Sequence, residues 1–172
     1  MLKDLPELTT LKLPYMSIST EGLAAIAQLS KLRSLELLRT LTDDTGLAQL
    51  ANTKTLVALD LRDTGVTDDG LVHLKNLTQL QTIKLASDRI TDDGMEHLKG
   101  LTNLTTLTLD LSGVGDGLFD DLQDLKKLQQ LDLYRTRVSD EGLAKIGVFP
   151  ALKVLTLRET GVSVEGLKHL VA

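Results

Sequence analysis

Histidines, paired aspartates and a glycine-rich segment are the parts of this sequence whose residue types could do chemistry. Histidines could ligate zinc or move protons, and paired carboxylates could hold calcium. A glycine-rich segment could wrap a phosphate with its backbone N–H groups. The spacing of each group decides whether that chemistry is expected.

The three histidines lie on a long-range period and do not form a ligand set. His73 and His97 are 24 residues apart, and His169 follows His97 by 72 residues. The equivalent position elsewhere holds unrelated residue types, namely Ala25, Gln49, Asp121 and Lys145. Zinc needs about three or four convergent ligands, and the chain has no cysteine, so we expect no metal site.

The aspartate pairs and the glycine-rich segment also lack the spacing of known sites. Asp43–Asp44, Asp68–Asp69 and Asp92–Asp93 lack the alternating oxygens and the distal glutamate of a calcium-binding loop. Capping of helix N-termini explains them more simply, with calcium as the weaker alternative. Gly113–Gly117 lacks the Gly-Lys-Ser/Thr ending of a phosphate loop, so we expect no cofactor.

These residues belong to a repeat that runs through the whole chain. Leucine accounts for 40 of the 172 residues, and the chain has two tyrosines, two phenylalanines and no tryptophan. The last leucine of a unit L-x-x-L-x-L recurs every 24 residues, at Leu13, Leu37, Leu61, Leu85, Leu109, Leu133 and Leu157. Self-similarity at one period predicts seven stacked copies of one supersecondary unit.

Each unit contains a strand pattern followed by a helix pattern. Leu59–Arg62 alternates apolar and polar residues, which indicates a half-buried strand. Gly70–Leu77 has apolar residues at every third position, which is typical of a short helix or 3₁₀ turn. Thr67 or Asp68 is predicted to cap this helix. The same cap chemistry is expected at Ser19, Thr91, Ser139 and Ser163.

The unit resembles the leucine-rich repeat, whose signature is L-x-x-L-x-L-x-x-(N/C). The last position holds Thr40, Thr64, Thr136 and Thr160, with Ser112, Asp88 and Met16 as variants. In the family that residue bonds the backbone of the next turn, so the resemblance implies the same for Thr or Asp and a looser first turn. The V-T-D-x-G-L segment is similar to bacterial and F-box-type repeats, and Glu21–Ala27 resembles effector repeats rich in Gly-Ala-Leu-Ala.

The resemblance implies an α/β fold in which one solenoid domain spans residues 1–172. A parallel sheet of about seven strands would line the concave side of a right-handed arc, with short helices on the convex side. The alternation places the strands near residues 10–14, 34–38, 58–62, 82–86, 106–110, 130–134 and 154–158.

Strand alternation predicts which side chains point to the concave face, where the family binds its partners. Tyr134, Arg135 and Arg158 fall on adjacent predicted strands, beside Leu111 and Asp110. Tyrosine and arginine are enriched in binding hot spots, so this group is the stronger candidate contact centre. The weaker candidates on the same face are Leu38, Arg39, Arg62 and Tyr15.

Two interpretations of this face stay open, a contact surface and a solvated face. In the solvated, charge-matched face Lys84 would lie opposite Asp60, and Arg158 would lie near Asp132. We expect a non-catalytic scaffold that binds a protein or peptide on its concave face. The alternative implied by the resemblance is the substrate-recognition segment of a larger ubiquitin-ligase-type or effector protein. An enzyme is disfavoured because no histidine is predicted near this face.

Charge and hydropathy disfavour other partners. The net charge is −5 with acids and bases interspersed, which argues against nucleic acid. No run of ~18 apolar residues would span a membrane, and residues 1–8 lack a secretory signal. We therefore favour a cytoplasmic location or delivery within a larger effector. The repeats begin at Leu2 and Leu5 and stop at Leu170, inside a unit, so we expect a segment of a longer protein. We expect a monomer, with end-to-end association as the alternative.

Two copies of the repeat depart from the pattern. The capping segment within Leu37–Gly46 has a one-residue shift in its pattern, which predicts a bent turn. Gly113–Phe119 is a remodelled turn in which Leu118 stands at the glycine position. Phe119 and Phe149 replace leucines of the unit and are therefore predicted to lie in the core.

Overall fold

The computed structural model describes residues 5–171, so expectations that rest on Leu2 lie outside the described residues. Within that range seven short strands form one parallel sheet, each beside its neighbours in chain order. The strands are β1 Thr10–Lys12, β2 Ser34–Glu36, β3 Ala58–Arg62, β4 Thr82–Ala86, β5 Thr106–Leu109, β6 Gln130–Asp132 and β7 Val154–Thr156. This is the α/β solenoid that the repeat predicts.

Each strand begins at the first residue of its predicted range, where the apolar alternation starts. β3 and β4 extend to the predicted ends at Arg62 and Ala86, whereas the other five strands end one or two residues earlier. Partner residues across each junction are 24 positions apart, as in the pair Leu35 and Leu59. Each position of the repeat therefore forms a row across the sheet.

Short helices lie in the segments that return the chain from one strand to the next. They are α1 Thr20–Ile26, α2 Asp44–Ala48, α3 Asp68–Leu71, α4 Asp92–Met95, α5 Leu118–Asp121 and α6 Asp140–Leu143. Single 3₁₀ turns follow at Val72–Leu74, Ile146–Val148 and Gly166–Leu170. A helix of four to seven residues is too short to be stable alone, so these helices depend on packing against their neighbours.

The leucines of the unit form one continuous core that runs through all repeats. Those of the inner repeats are fully buried, whereas Leu11 and Leu155 in the two outer strands stay partly exposed. Phe119 and Phe149 are buried, with ring centroids 6.0 Å apart, which confirms their predicted place in the core. Each buried leucine contributes ~1.5–3 kcal/mol, so stacking is the main source of stability.

A carboxylate bridge joins the helix starts of successive repeats. One oxygen of Asp44 accepts the backbone N–H of Thr67 at 2.8 Å, and the other accepts the Thr67 hydroxyl at 2.7 Å. The same two bonds recur in the pairs Asp68 with Thr91, Asp116 with Ser139, and Asp140 with Ser163. Each of these four junctions therefore gains two charge-assisted hydrogen bonds, whereas the first junction has Thr20 at the aspartate position and lacks this bridge.

The bridge accounts for one aspartate of each pair and corrects the cap predicted at Thr67. The Thr67 hydroxyl is turned to Asp44, and it makes no cap bond to α3. Ser139 takes part in the bridge and also caps its helix. Its hydroxyl donates to Asp116 and accepts the backbone N–H of Glu141. These carboxylates accept from N–H and O–H donors, so the bridge explains their presence without calcium.

The bridge also requires a glycine in the following helix. A Cβ atom at Gly70 would lie 2.1 Å from Oδ1 of Asp44, and one at Gly94 would lie 2.3 Å from Oδ1 of Asp68. Real Cβ atoms do not approach a carboxylate this closely, so the V-T-D-D-G pattern is a packing requirement as well as a cap.

The turn of the second repeat is not shifted, contrary to the prediction from its sequence. Asp43 caps α2 through the backbone N–H of Gly46 at 2.8 Å, and it lies 24 residues before Thr67, the residue preceding α3. Thr42 occupies the buried valine position, and its hydroxyl bonds that of Thr40 at 2.8 Å. The spacing is retained because aspartate replaces threonine at the same cap position.

The fifth repeat is remodelled because Gly115 has no hydroxyl for the bridge. Asp92 accepts the backbone N–H of Gly115 at 2.8 Å and that of Gly117 at 3.2 Å instead. Helix α5 then begins at Leu118, so the glycine that faces the carboxylate has moved to Gly117. The junction keeps two hydrogen bonds with different donors.

Hydroxyls at the Asn/Cys position bond within their own repeat, which corrects the expectation that they reach the next turn. The Thr64 hydroxyl donates to the carbonyl of Leu61 at 2.7 Å. The equivalent bond is made by Thr40, Ser112, Thr136 and Thr160. Asp88 holds this position in the fourth repeat, and its carboxylate cannot donate at neutral pH.

Replacing Gly70 with alanine should lower the free energy of unfolding by ~1–3 kcal/mol, because the new Cβ displaces the Asp44 carboxylate. Alanine is the better helix former, so a loss can only come from the clash. Gly100→Ala is the control, since a Cβ there meets nothing within 4 Å. Equal urea midpoints for the two variants would contradict this role of the bridge.

Thr53→Val should raise the free energy of unfolding by ~1 kcal/mol. Thr53 takes the place of a leucine in the core, and its buried Oγ1 has no hydrogen-bond partner among residues 5–171. Thr136→Val is the matched control and should destabilise, because the Thr136 hydroxyl donates to the Leu133 carbonyl at 2.9 Å. Urea unfolding of both variants measures the difference, and a loss at Thr53 would refute the argument.

Candidate functional site

The exposed side of the parallel sheet, called the sheet face below, is built from three rows of side chains. The first row begins with Lys12 in β1, the second with Pro14, and the third with Tyr15. Because partner residues are 24 positions apart, every later repeat adds one residue to each row. Sequence positions distant in the chain thus become neighbours about 4.8 Å apart.

Tyr134, Arg135, Arg158 and Glu159 form one bonded group, called the Tyr134 cluster below. The guanidinium carbon of Arg158 lies 5.2 Å from the centroid of the Tyr134 ring, a cation–π contact. Glu159 lies between the others, and its oxygens are 3.4 Å from the Tyr134 hydroxyl, 3.3 Å from Arg135 and 3.4 Å from Arg158. The structure therefore brings together the three residues of the stronger predicted group.

Leu111 and Asp110 border the Tyr134 cluster, as the sequence predicts. Oδ1 of Asp110 accepts the backbone N–H of Tyr134 at 3.1 Å. Burial is the main cause that raises the pKa of Asp110, and this hydrogen bond opposes it. Leu111 is 40% exposed at φ 56°, so an apolar side chain is held at the surface in a backbone region that costs ~1 kcal/mol or more.

The weaker predicted group divides into separate ion pairs. Arg39 lies 5.8 Å from the Tyr15 ring centroid and bonds Asp63 at 3.0 Å. Arg62 turns back to Asp60 in its own strand, with Nη2 2.6 Å from Oδ2, and this hydrogen bond is the main cause that raises the pKa of Arg62. The remaining member, Leu38, is half-buried beside Arg39 in sequence.

Lys84 lies opposite Asp60 in the sheet register, as the solvated-face interpretation expects, but these two residues do not form an ion pair. Asp60 pairs with Arg62 and leaves Lys84 aside. Asp132 accepts the hydroxyls of Thr108 and Thr156, at 3.2 Å and 2.8 Å, whereas Arg158 turns to the Tyr134 cluster. The first row is therefore a network of hydrogen bonds around Asp132 at this end of the sheet.

The fourth repeat interrupts the third row of the sheet face. In six repeats this row has φ between 54° and 62°, at Tyr15, Arg39, Asp63, Leu111, Arg135 and Glu159. Ser87 in the fourth repeat is not in this region, and its backbone N–H makes no hydrogen bond to the Asp110 carbonyl, whereas the N–H of Asp63 donates to Ala86 at 3.0 Å. In five other repeats a hydroxyl donates to a backbone carbonyl at the position of Asp88, and a carboxylate has no proton to make this bond. The missing bond accompanies the different backbone conformation of this turn.

A groove of about 680 Å³, called the edge groove below, opens along the sheet face at this interruption. Small side chains of the fourth repeat, Ala86 and Ser87, form its base, and Leu111 stands beside them. The remaining walls are lined by Asp63, Thr64, Asp88, Ser112, Gly113, Arg135, Thr136, Arg137 and Glu159. No histidine is among these residues of the described chain.

Residues 5–171 contain neither a metal-ligand group nor a helix that could span a membrane. No three His, Asp or Glu side chains in that range come together as a group that could hold a metal ion. Within the same range no helix has the length and apolar character needed to cross a membrane.

Comparisons with known proteins agree with the repeat. A family model described as "Leucine Rich repeat" matches residues 53–75 and 124–147. Internalin C2 from Listeria monocytogenes superposes with a TM-score of 0.73 at 28% identity, over 97% of this chain and 79% of that one. The chain carries leucine-rich repeats. No curated protein matches its sequence.

A second Listeria monocytogenes internalin shares the fold of this leucine-rich repeat protein. It superposes with a TM-score of 0.69 at 22% identity, over 98% of this chain and 60% of that one. The leucine-rich repeat protein thus spans about three-fifths of that internalin, and the similarity concerns the fold alone. Leucine-rich repeat folds typically serve as non-catalytic scaffolds for protein interaction.

Two features of the site escaped sequence reasoning. Glu159 connects the Tyr134 cluster, although its place in the third row was evident from the period. The edge groove had one available signal, which is Asp88 at a position where five other repeats have a hydroxyl residue. A carboxylate where a donor is needed indicates a changed turn.

Asp110→Asn should raise stability relative to the unchanged protein at about pH 7 and not at about pH 3. The pKa of Asp110 is raised in the folded protein, so its carboxyl group contributes stability at low pH. That contribution is lost as the pH rises from the ordinary pKa of about 3.9 through the raised value. The amide oxygen of asparagine still accepts the Tyr134 N–H. Urea unfolding at both pH values measures the change, and a loss at neutral pH would contradict it.

Asp43→Asn serves as the control with the opposite sign. Hydrogen bonds from the Thr45 hydroxyl and then the Gly46 N–H lower the pKa of Asp43. Its contribution is present above the ordinary carboxyl pKa of about 3.9 and is lost as the pH falls through the lowered value. This variant should therefore be the less stable one at neutral pH, and the difference should vanish in acid.

Proposed function

We propose that this leucine-rich repeat protein is a non-catalytic scaffold that binds a protein or peptide partner on its sheet face. The Tyr134 cluster is the proposed contact centre. The observation that supports it most is the stacked pair of Tyr134 and Arg158, with a 5.2 Å contact and a shared bond to Glu159.

The side chains of the Tyr134 cluster already contact one another in the chain without a partner. Tyrosine and arginine supply most of the binding energy in many interfaces, and ordering them in advance lowers the entropy cost of binding. Leu111, 40% exposed, adds an apolar surface beside them. A partner can thus bury an aromatic ring, two guanidinium groups and a leucine in one contact.

The group around Tyr15 is the poorer contact centre. Arg62 is held by Asp60 through three side-chain hydrogen bonds of 2.6–3.2 Å, so it would have to break them to reach a partner. Tyr15, 67% exposed, lies in the first repeat, at the outer edge of the sheet.

The shape and chemistry of the sheet face support binding over catalysis. Helices need ~8–10 Å each and strands ~4.8 Å, so stacking favours an arc with the sheet on its concave side. The charged residues of the Tyr134 cluster pair with one another, and none is an acid–base pair next to a nucleophile. The two Listeria structures support a bacterial origin.

The test is a random peptide library displayed on phage and selected on the unchanged protein. Each selected peptide is measured by fluorescence anisotropy against Tyr134→Ala/Arg135→Ala/Arg158→Ala. The matched control is Tyr15→Ala/Arg39→Ala/Arg62→Ala, which removes the same residue types from the same face. Thermal unfolding of both variants establishes that each is folded.

Most selected peptides should lose ~tenfold or more in affinity for the first variant, since hot-spot residues contribute ~2 kcal/mol or more. The control should weaken binding less than ~threefold. Peptides that bind both variants equally well would show that the Tyr134 cluster is not the contact centre.

A further inference from the structure

The edge groove has the length of a short extended peptide. Its lining runs from Asp63 in the third repeat to Glu159 in the seventh. Four strand spacings correspond to ~19 Å, which an extended chain of about six residues would cover.

The edge groove presents one unpaired charge of each sign. Asp63 is held by Arg39 at 3.0 Å, and Arg135 by Glu159 at 3.3 Å. Asp88 and Arg137 also line the groove, and neither forms an ion pair with any residue in the range 5–171. The charge that a ligand would meet therefore changes sign along the groove.

The base of the groove has free hydrogen-bonding groups and an apolar wall. The N–H of Ser87 and the carbonyl of Asp110 do not bond each other. A peptide backbone supplies both donors and acceptors, and Leu111 offers its side chain an apolar contact.

The spacing of the two charges sets the spacing in the ligand. Asp88 and Arg137 belong to the fourth and sixth repeats, two strand spacings or ~10 Å apart. A peptide in the extended polyproline II conformation rises ~3.1 Å per residue and has about three residues per turn, so side chains three residues apart lie on one face and span about this distance.

We propose that the edge groove binds an extended peptide segment with a basic and an acidic side chain about three residues apart and an apolar residue between them. This rests on the proposed function, that the sheet face binds proteins, and specifies the partner's chemistry. The basic side chain faces Asp88, the acidic one faces Arg137, and the apolar one contacts Leu111.

Three capped eight-residue peptides test this, with the central sequences Lys-Ser-Leu-Glu, Lys-Ser-Leu-Lys and Glu-Ser-Leu-Glu. Titrations followed by the amide signals of Ser87 and Gly113 give the affinities. The mixed-charge peptide should bind about fivefold tighter than either like-charged one, since an exposed ion pair contributes up to ~1 kcal/mol.

Charge reversal should switch the preference. Asp88→Lys should favour the Glu-Ser-Leu-Glu peptide, and Arg137→Glu should favour Lys-Ser-Leu-Lys. The variant with both changes restores one charge of each sign, so it should again prefer the mixed peptide. Arg89→Glu is the control, because Arg89 is exposed next to Asp88 but does not line the groove, and it should leave the order unchanged.

The proposal is overturned if the mixed peptide causes no signal change at Ser87 and Gly113, or if neither reversal changes the order of affinities. Its failure is separable from that of the proposed function. Library peptides that lose affinity with the Tyr134 triple variant but bind Asp88→Lys normally would support the Tyr134 cluster and refute the edge groove as a peptide site.

Discussion

The carboxylate bridge, which links consecutive repeats from the second to the seventh, is the interaction on which the rest of the structure depends. Asp44 and its equivalents accept an N–H and an O–H from the start of the next helix, at 2.6–2.8 Å. These hydrogen bonds are short and directional, so they fix the start of each helix relative to the helix of the preceding repeat. Leucine burial supplies the larger free energy, but apolar contact is not directional. The bridge, with the glycine that makes room for it, therefore sets how the leucines stack.

Because the constraint is local to each junction, the stack tolerates changes elsewhere. The second repeat replaces its cap threonine by Asp43, and the fifth replaces a hydroxyl by the N–H of Gly117, yet strand partners stay 24 residues apart. Departures therefore alter the surface and leave the register intact. The clearest case is Asp88, whose inability to donate accompanies the changed turn at Ser87 and the edge groove. The two surfaces proposed to bind a partner both follow from such local differences.

Sequence reasoning succeeded where burial decides the structure and failed where polar groups choose among partners. The strand starts and the core places of Phe119 and Phe149 follow from the apolar period, since each leucine position is buried in nearly every repeat. The position of Lys84 opposite Asp60 follows from the period, but the ion pair of Asp60 with Arg62 does not, because both cations are within reach and only side-chain geometry selects between them. The edge groove could not be predicted, because it depends on the backbone φ of the turn at Ser87. The hydrophobic period carries no information on that angle.

Amide hydrogen exchange, resolved by residue, tests this account most directly. The amides of Thr91 and Ser139 lie in turns, and we expect slow exchange there because the bridging carboxylates of the preceding repeats accept them at 2.8 Å. The Ser87 amide should exchange fast, whereas those of Asp63 and Leu111 in the same row, bonded at 3.0 Å and 2.7 Å, should be protected. Fast exchange at Thr91 and Ser139, or equal protection of Ser87 and its two counterparts, would contradict it.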